Sequence, residues 1–296
     1  LNFSFSYNKN YSGRDPYSIK NDSPKKIENA NIVRRVTSKD KMRAYKAALL
    51  YLSENDIALQ TANIQDDKFQ ITYGQSRFFE KTRSLGRTLD VLNQISPDYI
   101  DHYEITLLNA DIAMFTAEIP RESFARYQEK KMHDPLLRDI KFYKQSNPRK
   151  NHEFRPPAEL PSFSSNFAPS MKNQVGGPDG FWFGQLDLSV NFEALVTRAL
   201  NISGKASVNI WNNFDELKLE SSSILPHVRT DINRYLRQSR DKPYIGNLQS
   251  TYFFNPAGSV YAKLSAGLLE QMFGGYGFEV LYRPFNSIWG IGAEAW

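Results

Sequence analysis

The chain of 296 residues contains no cysteine, which excludes disulfides and thiolate metal sites. It also has no uninterrupted apolar run of about 18 residues, so the sequence predicts no transmembrane helix. Its four histidines, His102, His133, His152 and His227, are scattered without metal-ligand spacing. Since the chain starts at Leu1 and carries no signal peptide, we expect that processing or truncation removed the true start.

Catalytic motifs are also missing. The sequence has no GxSxG, P-loop or GxGxxG pattern, and the Gly274–Gly277 segment is followed by no predicted helix that could complete a phosphate site. Asp215 and Glu216 are adjacent in a predicted loop, which does not give the fixed carboxylate separation of a glycosidase. The sequence therefore predicts a protein that is not an enzyme and that holds no cofactor and no metal.

The net charge of +5 is unevenly distributed. Residues 161–296 contain 11 basic and 11 acidic side chains, so the basic excess lies in residues 1–160. Such an excess indicates either a solvated basic face or an anion-binding surface. We expect no nucleic-acid partner.

Residues 36–132 combine helical and short-strand patterns. Apolar spacing after Thr37 or Ser38, and again after Ser76, predicts two capped helices, and Pro120 suits the first turn of a third. Two pairs of short strands lie between them, which gives the order helix–hairpin–helix–hairpin–helix. Because the two helix–hairpin segments are weakly alike in sequence, we predict a compact α+β domain built from a duplicated unit.

The sequence after Pro161 changes to long alternating patterns. Trp182–Phe192 and Leu200–Ile210 place apolar residues at even positions and Gln, Asp, Ser, Asn or Lys at most odd ones, and Ser259–Leu269 repeats the alternation. Eleven residues suffice for a tilted strand to cross a bilayer. The region therefore predicts antiparallel strands of an outer-membrane β-barrel, and further candidates are Phe163–Pro169, Ile245–Phe254, Tyr276–Arg283 and Ile288–Trp296.

A soluble β-sandwich would show the same alternation, because one face of each sheet is buried. Two features favour the barrel: the length of the strands and the aromatic residues near their ends. The aromatic residues are Phe181, Trp182, Phe192 and Trp211. In a barrel the apolar face contacts lipid, and the residues predicted to do so are Leu186, Leu188, Val208, Ile210, Leu264 and Leu268.

The predicted strand connections alternate between short turns and a long segment, 211–244, which we expect on the outside of the cell. The basic side chains of this segment are Arg229, Arg234, Arg237, Arg240 and Lys242. They form a candidate site for contact with an acidic polysaccharide. Alternatively, they only contact lipopolysaccharide phosphates or keep the loop soluble. The candidate residues lining the barrel lumen are Lys205, Tyr261, Lys263, Glu279 and Arg283. In the lumen the charged ones form ion pairs or line a channel, and Tyr261 stacks on sugar rings or has a structural role.

The patterns divide the chain into five segments. Residues 1–10 alternate like the terminal strand of a preceding barrel region, and residues 11–35 form a polar linker. The α+β domain occupies 36–132, and 133–160 is a linker rich in Pro and basic residues. Residues 161–296 supply the opening strands of a barrel, and since seven strands are fewer than the roughly eight of the smallest membrane barrels, the chain looks like a fragment.

Four sequence motifs resemble one known family. QVGGPDGFWFGQL (174–186), LPHVRTDINRYL (225–236), NLQSTYFF (247–254) and LLEQMFGGYGFEVLYRPFNSIWGIGAE (268–294) closely resemble the YjbH family of exopolysaccharide-biosynthesis outer-membrane proteins, to which the GfcD-type capsule proteins are related. The α+β region is similar in position and order more than in residues.

The resemblance implies a long protein with two barrel regions and a periplasmic domain between them, of which this chain would be the middle. It implies a non-catalytic outer-membrane component of exopolysaccharide or capsule biosynthesis, secretion or assembly. The implied partners are outer-membrane lipid, exopolysaccharide and periplasmic proteins of the same system. Two alternatives remain open at this point: a structural protein whose soluble domain anchors a periplasmic complex, and a general diffusion porin.

Overall fold

A computed structural model of the chain describes residues 25–130, 136, 138–145, 147–157, 160–175, 180–216, 242–270 and 273–296. The chain divides into two compact units, and the border between them follows residue 158. Each unit contains one β-sheet. We call them the α+β unit and the strand unit.

The α+β unit contains four helices and five strands among its described residues. In chain order they are α1 (Ala30–Thr37), α2 (Lys41–Glu54), β1 (Ala58–Gln65), β2 (Lys68–Gly74), α3 (Lys81–Ile95), β3 (His102–Asn109), β4 (Ile112–Pro120), α4 (Arg121–Lys130) and β5 (Lys141–Tyr143). No described helix is long and apolar enough to cross a membrane.

The strands lie side by side in the order β1-β2-β3-β4-β5. The hairpins β1–β2 and β3–β4 are antiparallel. They join through the parallel pair β2–β3, because α3 returns the chain to the end of the sheet at which β2 begins. One face of the sheet packs against the helices in a single apolar core. Its largest fully buried side chains include Tyr45, Phe69, Tyr73, Leu92, Tyr103, Ile57 and Ile71.

The second face of this sheet is polar but also largely buried. Thr61 and Thr72 share a hydrogen bond of 2.7 Å, and a threonine pair on β3 and β4 repeats the contact at 2.9 Å. Lys68 donates to Glu118 at 2.6 Å and lies 3.6 Å from Glu104. Burial opposes the charged form of Lys68, but its contacts with these carboxylates outweigh that effect and raise its pKa.

The predicted α+β class and the predicted element order are confirmed, but the helix starts differ. α2 begins at Lys41, because Asp40 rather than Thr37 or Ser38 accepts the Met42 N–H at 3.0 Å. α3 begins at Lys81 rather than after Ser76. The helix starts later than predicted because Gln75 closes a turn before it. The Gln75 side-chain amide donates to the Phe78 carbonyl oxygen and accepts a hydrogen bond from the Phe78 N–H. Pro120 ends β4 instead of starting a helix, and α4 begins at Arg121.

Residues 147–157 follow the edge of the sheet, although the sequence places them in a linker. Phe154 forms an antiparallel bridge with Ala62, and its ring stacks on Tyr45 at a centroid distance of 5.3 Å. His152 is buried and its Nδ1 lies 2.7 Å from the Thr61 hydroxyl. Burial lowers the pKa of His152 to about 4, helped by the nearby Arg155 and Arg149 charges. Here we call this segment the edge segment.

The strand unit contains seven described strands in one antiparallel sheet: β6 (Ser162–Val175), β7 (Trp182–Leu195), β8 (Leu200–Asn212), β9 (Tyr244–Ala257), β10 (Val260–Glu270), β11 (Phe273–Tyr282) and β12 (Ile291–Ala295). Every strand predicted after residue 161 is present, and most are longer than predicted. The spatial order follows the chain order. Among the described residues no pairing joins β6 to β12, so a closed barrel remains a prediction.

Candidate functional site on the polar face of the strand unit

The two faces of the seven-stranded sheet have opposite chemistry, because its strands alternate polar and apolar residues in register. On one face, Asp187 pairs across the strands with Ser170 and Asn209, and Asn191 pairs with Asn166 and Lys205. We call it the polar face. On the other, Leu188 lies opposite Val208, and Leu264 lies opposite Tyr252 and Phe278. We call it the apolar face.

The burial of these faces is inverted relative to a water-soluble sheet. On the polar face, Asp187 and Ser189 are 0% exposed. On the apolar face, Leu188, Val208 and Ile210 are 46%, 50% and 61% exposed. The other residues predicted to face lipid lie on this same face, where Leu186 and Leu264 are exposed and Leu268 is half-buried.

Aromatic rings cover glycines on the apolar face. The Trp182 ring lies over Gly184 and stacks on Trp211 at 5.7 Å, near the ends of β7 and β8. Phe192 lies over Gly204, where an added Cβ would be 2.4 Å from the ring. These contacts explain why glycine occupies positions that otherwise carry large apolar side chains.

A buried network on the polar face is centred on Asp187. Its carboxylate accepts hydrogen bonds from the Tyr244 hydroxyl at 2.7 Å, from Gln185 at 2.6 Å and from Asn209 at 3.3 Å. Lys172 donates to the Tyr244 hydroxyl at 2.9 Å, and its ammonium lies 4.6 Å from the Tyr244 ring centroid. The network joins β6, β7, β8 and β9, and it compensates a buried carboxylate with three hydrogen-bond donors and a nearby ammonium.

A row of serines continues the network along the sheet. Ser189 shares hydrogen bonds with Ser170 at 2.8 Å and with Ser207 at 2.9 Å. Ser207 is its register partner on β8, whereas Ser170 is a diagonal neighbour on β6, where it lies opposite Asp187. Each buried hydroxyl in this row has a partner, as buried polar groups require.

An accessible part of the polar face is a groove of about 500 Å³ beyond this buried network. Two rows of side chains cross β6–β9 there. The first row is Asn166, Asn191, Lys205 and Asn247, and the second is Ser164, Glu193, Ser203 and Gln249. We call it the polar groove.

The five candidate lumen residues fall in different places. Lys205 lines the polar groove on β8. Lys263 and Glu279 face each other on β10 and β11 and form an ion pair, and Tyr261 lies on the same face one pleat away. Arg283 lies past the end of β11, where its backbone N–H bonds to the Ser259 carbonyl at 2.8 Å. Of this set, Lys263 and Glu279 are in direct contact.

Most of the predicted basic loop cluster lies outside the described residues: Arg229, Arg234, Arg237 and Arg240. Lys242 is described and is exposed. Within the described ranges, no group of three or more His, Asp or Glu side chains is arranged to hold a metal ion.

Sequence reasoning missed the network around Asp187. The alternation of β7 placed this carboxylate on the polar face, but it gave no sign that Lys172 and Tyr244 meet it. Tyr244 is 57 residues away from Asp187 in the chain, and only the pairing of β8 with β9 brings it close.

Comparison with known proteins matches the whole chain, residues 1–296, to the family described as "Exopolysaccharide biosynthesis protein YbjH". The chain is also 35% identical over 136 residues to the "Uncharacterized lipoprotein YjbH" of Escherichia coli (strain K12). That alignment covers 45% of this chain and 19% of the relative, so the chain spans only a small part of that protein. No solved structure matches. On the strength of the match over its full length, the chain belongs to the YjbH family of exopolysaccharide biosynthesis proteins.

Proposed function

We propose that this chain is part of a non-catalytic outer-membrane component of exopolysaccharide secretion or assembly. Family membership supports a role in exopolysaccharide biosynthesis. The observation that carries the membrane assignment is the inverted burial of the strand unit, with Leu188 and Val208 exposed and Asp187 buried. The apolar face contacts lipid, and the polar face contacts the polysaccharide or water.

The physical argument rests on what each solvent tolerates. In water, exposed leucine, valine and isoleucine side chains in a continuous sheet face promote association, and folded proteins rarely show such large apolar patches. In lipid the same face is favourable, and the interstrand ladder satisfies the backbone. β6, β7 and β9 each have 14 residues, more than the roughly 9–11 that a tilted strand needs to cross a bilayer.

The α+β unit has the opposite organisation and belongs in water. Its apolar side chains are enclosed between helices and sheet, as in a water-soluble domain. We assign it to the periplasm, where it contacts other proteins of the system. The E. coli relative carries the name lipoprotein, which supports a location in the cell envelope.

A scaffolding role without transport is the second candidate. The side chains around Asp187 and Ser189 bond to one another and leave neither residue accessible. A polar face whose side chains bond to one another in this way is as consistent with a structural role as with a passage for polysaccharide. Ion conductance of the full-length protein in a planar bilayer separates the two roles, since a scaffold gives no open-channel current.

One pair of substitutions tests the membrane assignment in the full-length protein. Val208→Arg places a charge on the exposed apolar face, and Asn247→Arg places the same charge on the exposed part of the polar face. We expect Val208→Arg to reduce the amount in the outer-membrane fraction and the polysaccharide released, because arginine at mid-bilayer costs about 2–4 kcal/mol. Asn247→Arg should leave the amount in the outer-membrane fraction near wild type. Equal tolerance of both changes would contradict the assignment.

A further inference from the structure

The side chains of the polar groove remain open to a ligand. Ser164, Asn166, Glu193 and Asn247 are exposed, and Lys205 is half-buried. In contrast, the donors and acceptors around Asp187 already form hydrogen bonds within the protein. A ligand that travels along or docks on the polar face therefore meets free hydrogen-bonding groups in this groove.

From these features we propose that the polar groove binds an uncharged segment of a polysaccharide chain, lying across strands β6–β9. This inference rests on the proposed function, and it names the ligand class and the residues. The first contacts are made by Asn166 and Asn247, which occupy the outer strands of the four. Asn191 and Lys205 form the floor between them.

The chemistry of the groove suits sugar hydroxyls. An asparagine amide offers two donors and one acceptor, so it can bond two adjacent hydroxyl groups of one ring. Ser164 and Ser203 add groups that donate and accept. Asn191 already donates to Asn166 at 3.0 Å, which fixes the direction of both amides before the ligand arrives.

The charge of the groove indicates an uncharged ligand. Lys205 and Glu193 contribute one positive and one negative charge among the lining residues, so the groove has no net charge. An acidic polysaccharide would meet Glu193, whose carboxylate lies at the exposed edge of the same groove. Like charges in such proximity disfavour binding.

The spacing of the first row also suits an extended sugar chain. Asn166, Asn191, Lys205 and Asn247 are direct register partners on four consecutive strands. Neighbouring strands lie about 4.8 Å apart. This spacing is close to the length of one pyranose unit, so successive sugars can meet successive side chains of the row.

The test uses the full-length protein in detergent micelles and the secreted polysaccharide of the same cells. The polysaccharide is shortened by mild acid and separated by anion exchange into uncharged and charged fragments, and binding is measured by isothermal titration calorimetry. We expect the uncharged fragments to bind. The double variant Asn166→Ala/Asn247→Ala should bind them at least tenfold more weakly, because it removes two sets of hydrogen bonds.

Asn209→Ala is the matched control, since it makes the same change on the same face but outside the groove. It should leave binding unchanged, and circular dichroism should show that all variants are folded. Lys205→Gln removes the positive charge but keeps a hydrogen-bonding side chain, so it should weaken binding of uncharged fragments less than the double variant does. No binding of the uncharged fragments, or an equal loss in Asn209→Ala, would overturn the proposal.

Preferential binding of charged fragments that Lys205→Gln abolishes would overturn it as well, in favour of an acidic ligand. Failure here is distinguishable from failure of the proposed function. A groove that binds no sugar leaves the response to Val208→Arg and Asn247→Arg as predicted, whereas a wrong membrane assignment changes that response whether or not sugar binds.

Discussion

The two sheets of this chain are built from similar strands but expose opposite faces. In the α+β unit, Phe69, Ile71 and Tyr73 of β2 are buried beneath helices. In the strand unit, the corresponding apolar positions of β7 include Leu186 and Leu188, and both are exposed. Period-2 alternation defines two faces, but the elements that follow each strand decide which face is covered.

The polar faces of the two sheets are more alike. Each contains a row of hydroxyl groups hydrogen-bonded across strands, Thr61 with Thr72 in one and Ser189 with its two serine neighbours in the other. Each also contains a lysine–glutamate pair. The difference between the sheets therefore lies in the exposure of the apolar face, which is buried in the α+β unit and exposed in the strand unit, and the following predictions test it.

The largest expected effect is in the helix-covered core. Leu92→Ala removes a fully buried side chain of α3, and we expect it to lower the free energy of unfolding of residues 25–157 by about 2–5 kcal/mol. Leu50→Ala on α2, where the side chain is 54% exposed, should change it by no more than about 0.5 kcal/mol. Urea unfolding of this expressed segment, followed by circular dichroism, measures both. A segment without cooperative unfolding would refute an independent α+β unit.

Sequence patterns were sufficient for the strands but not for the edges of the α+β unit. The strands from β6 to β12 follow directly from alternation, and α2 and α3 from helical spacing. The edge segment was missed, because Phe154 makes one bridge to Ala62 and a single pair produces no period. α1 was missed for another reason, since it follows Asn29 in a left-handed conformation within a polar stretch.

The candidate site was predictable only in part. Alternation correctly assigned Lys263 and Glu279 to one face, and register then placed them opposite each other. It could not show that the polar groove lies on β6–β9, because that depends on which strands are adjacent and on which polar residues are already hydrogen-bonded. Those facts come from pairing between distant segments.

The second prediction concerns the aromatic cover of the apolar face. Gly204→Ala would place a Cβ 2.4 Å from Phe192 and 3.0 Å from the Asn247 carbonyl oxygen. The backbone oxygen cannot move freely, so we expect a loss of about 1–3 kcal/mol of folding free energy in the full-length protein. Gly246→Ala meets nothing closer than 3.5 Å and is the control. Folding into lipid vesicles across a urea series measures the stability of both variants. Equal stability of Gly204→Ala and Gly246→Ala would show that the Phe192 ring moves aside without loss of folding free energy.

The third prediction uses pH to separate the α+β unit from its edge segment. His152 has a folded-state pKa of about 4, well below the ordinary value of 6.5, so the unfolded chain takes up a proton first as the pH falls. The stability linked to this histidine is complete above pH 6.5 and is lost as the pH falls from there towards 4. We expect residues 25–157 to lose about 1 kcal/mol between pH 6.5 and 5.

His152→Gln is the control for this pH effect, because glutamine keeps a polar partner for Thr61 but does not titrate. In that variant the urea midpoint should be nearly constant over the same range. Glu118 does not confuse the result, since its hydrogen bond from Lys68 lowers its pKa and moves its titration to more acidic solution. A wild-type midpoint that does not fall between pH 6.5 and 5 would argue against a neutral, buried His152.

The smallest expected effect compares the two lysine–glutamate pairs. Lys68 and Glu118 form a partly exposed pair in the α+β unit, where the side chains are 30% and 28% exposed. Lys263 and Glu279 have comparable exposure in the strand unit. Double-mutant cycles with Lys→Met and Glu→Gln should give coupling energies of roughly 0.2–1 kcal/mol for each pair, and both energies should fall as salt is added.

This comparison is informative because the surroundings of the second pair depend on the solvent of the polar face. If water fills that side of the sheet in the membrane, Lys263 and Glu279 are screened like a surface pair, and salt weakens their coupling in vesicles as it does for Lys68 and Glu118. If instead the polar face were packed and dry, the Lys263–Glu279 coupling would exceed that of the other pair and resist salt. The ratio of the two coupling energies at low and high salt thus reports whether the polar face is wet, which a polysaccharide passage requires.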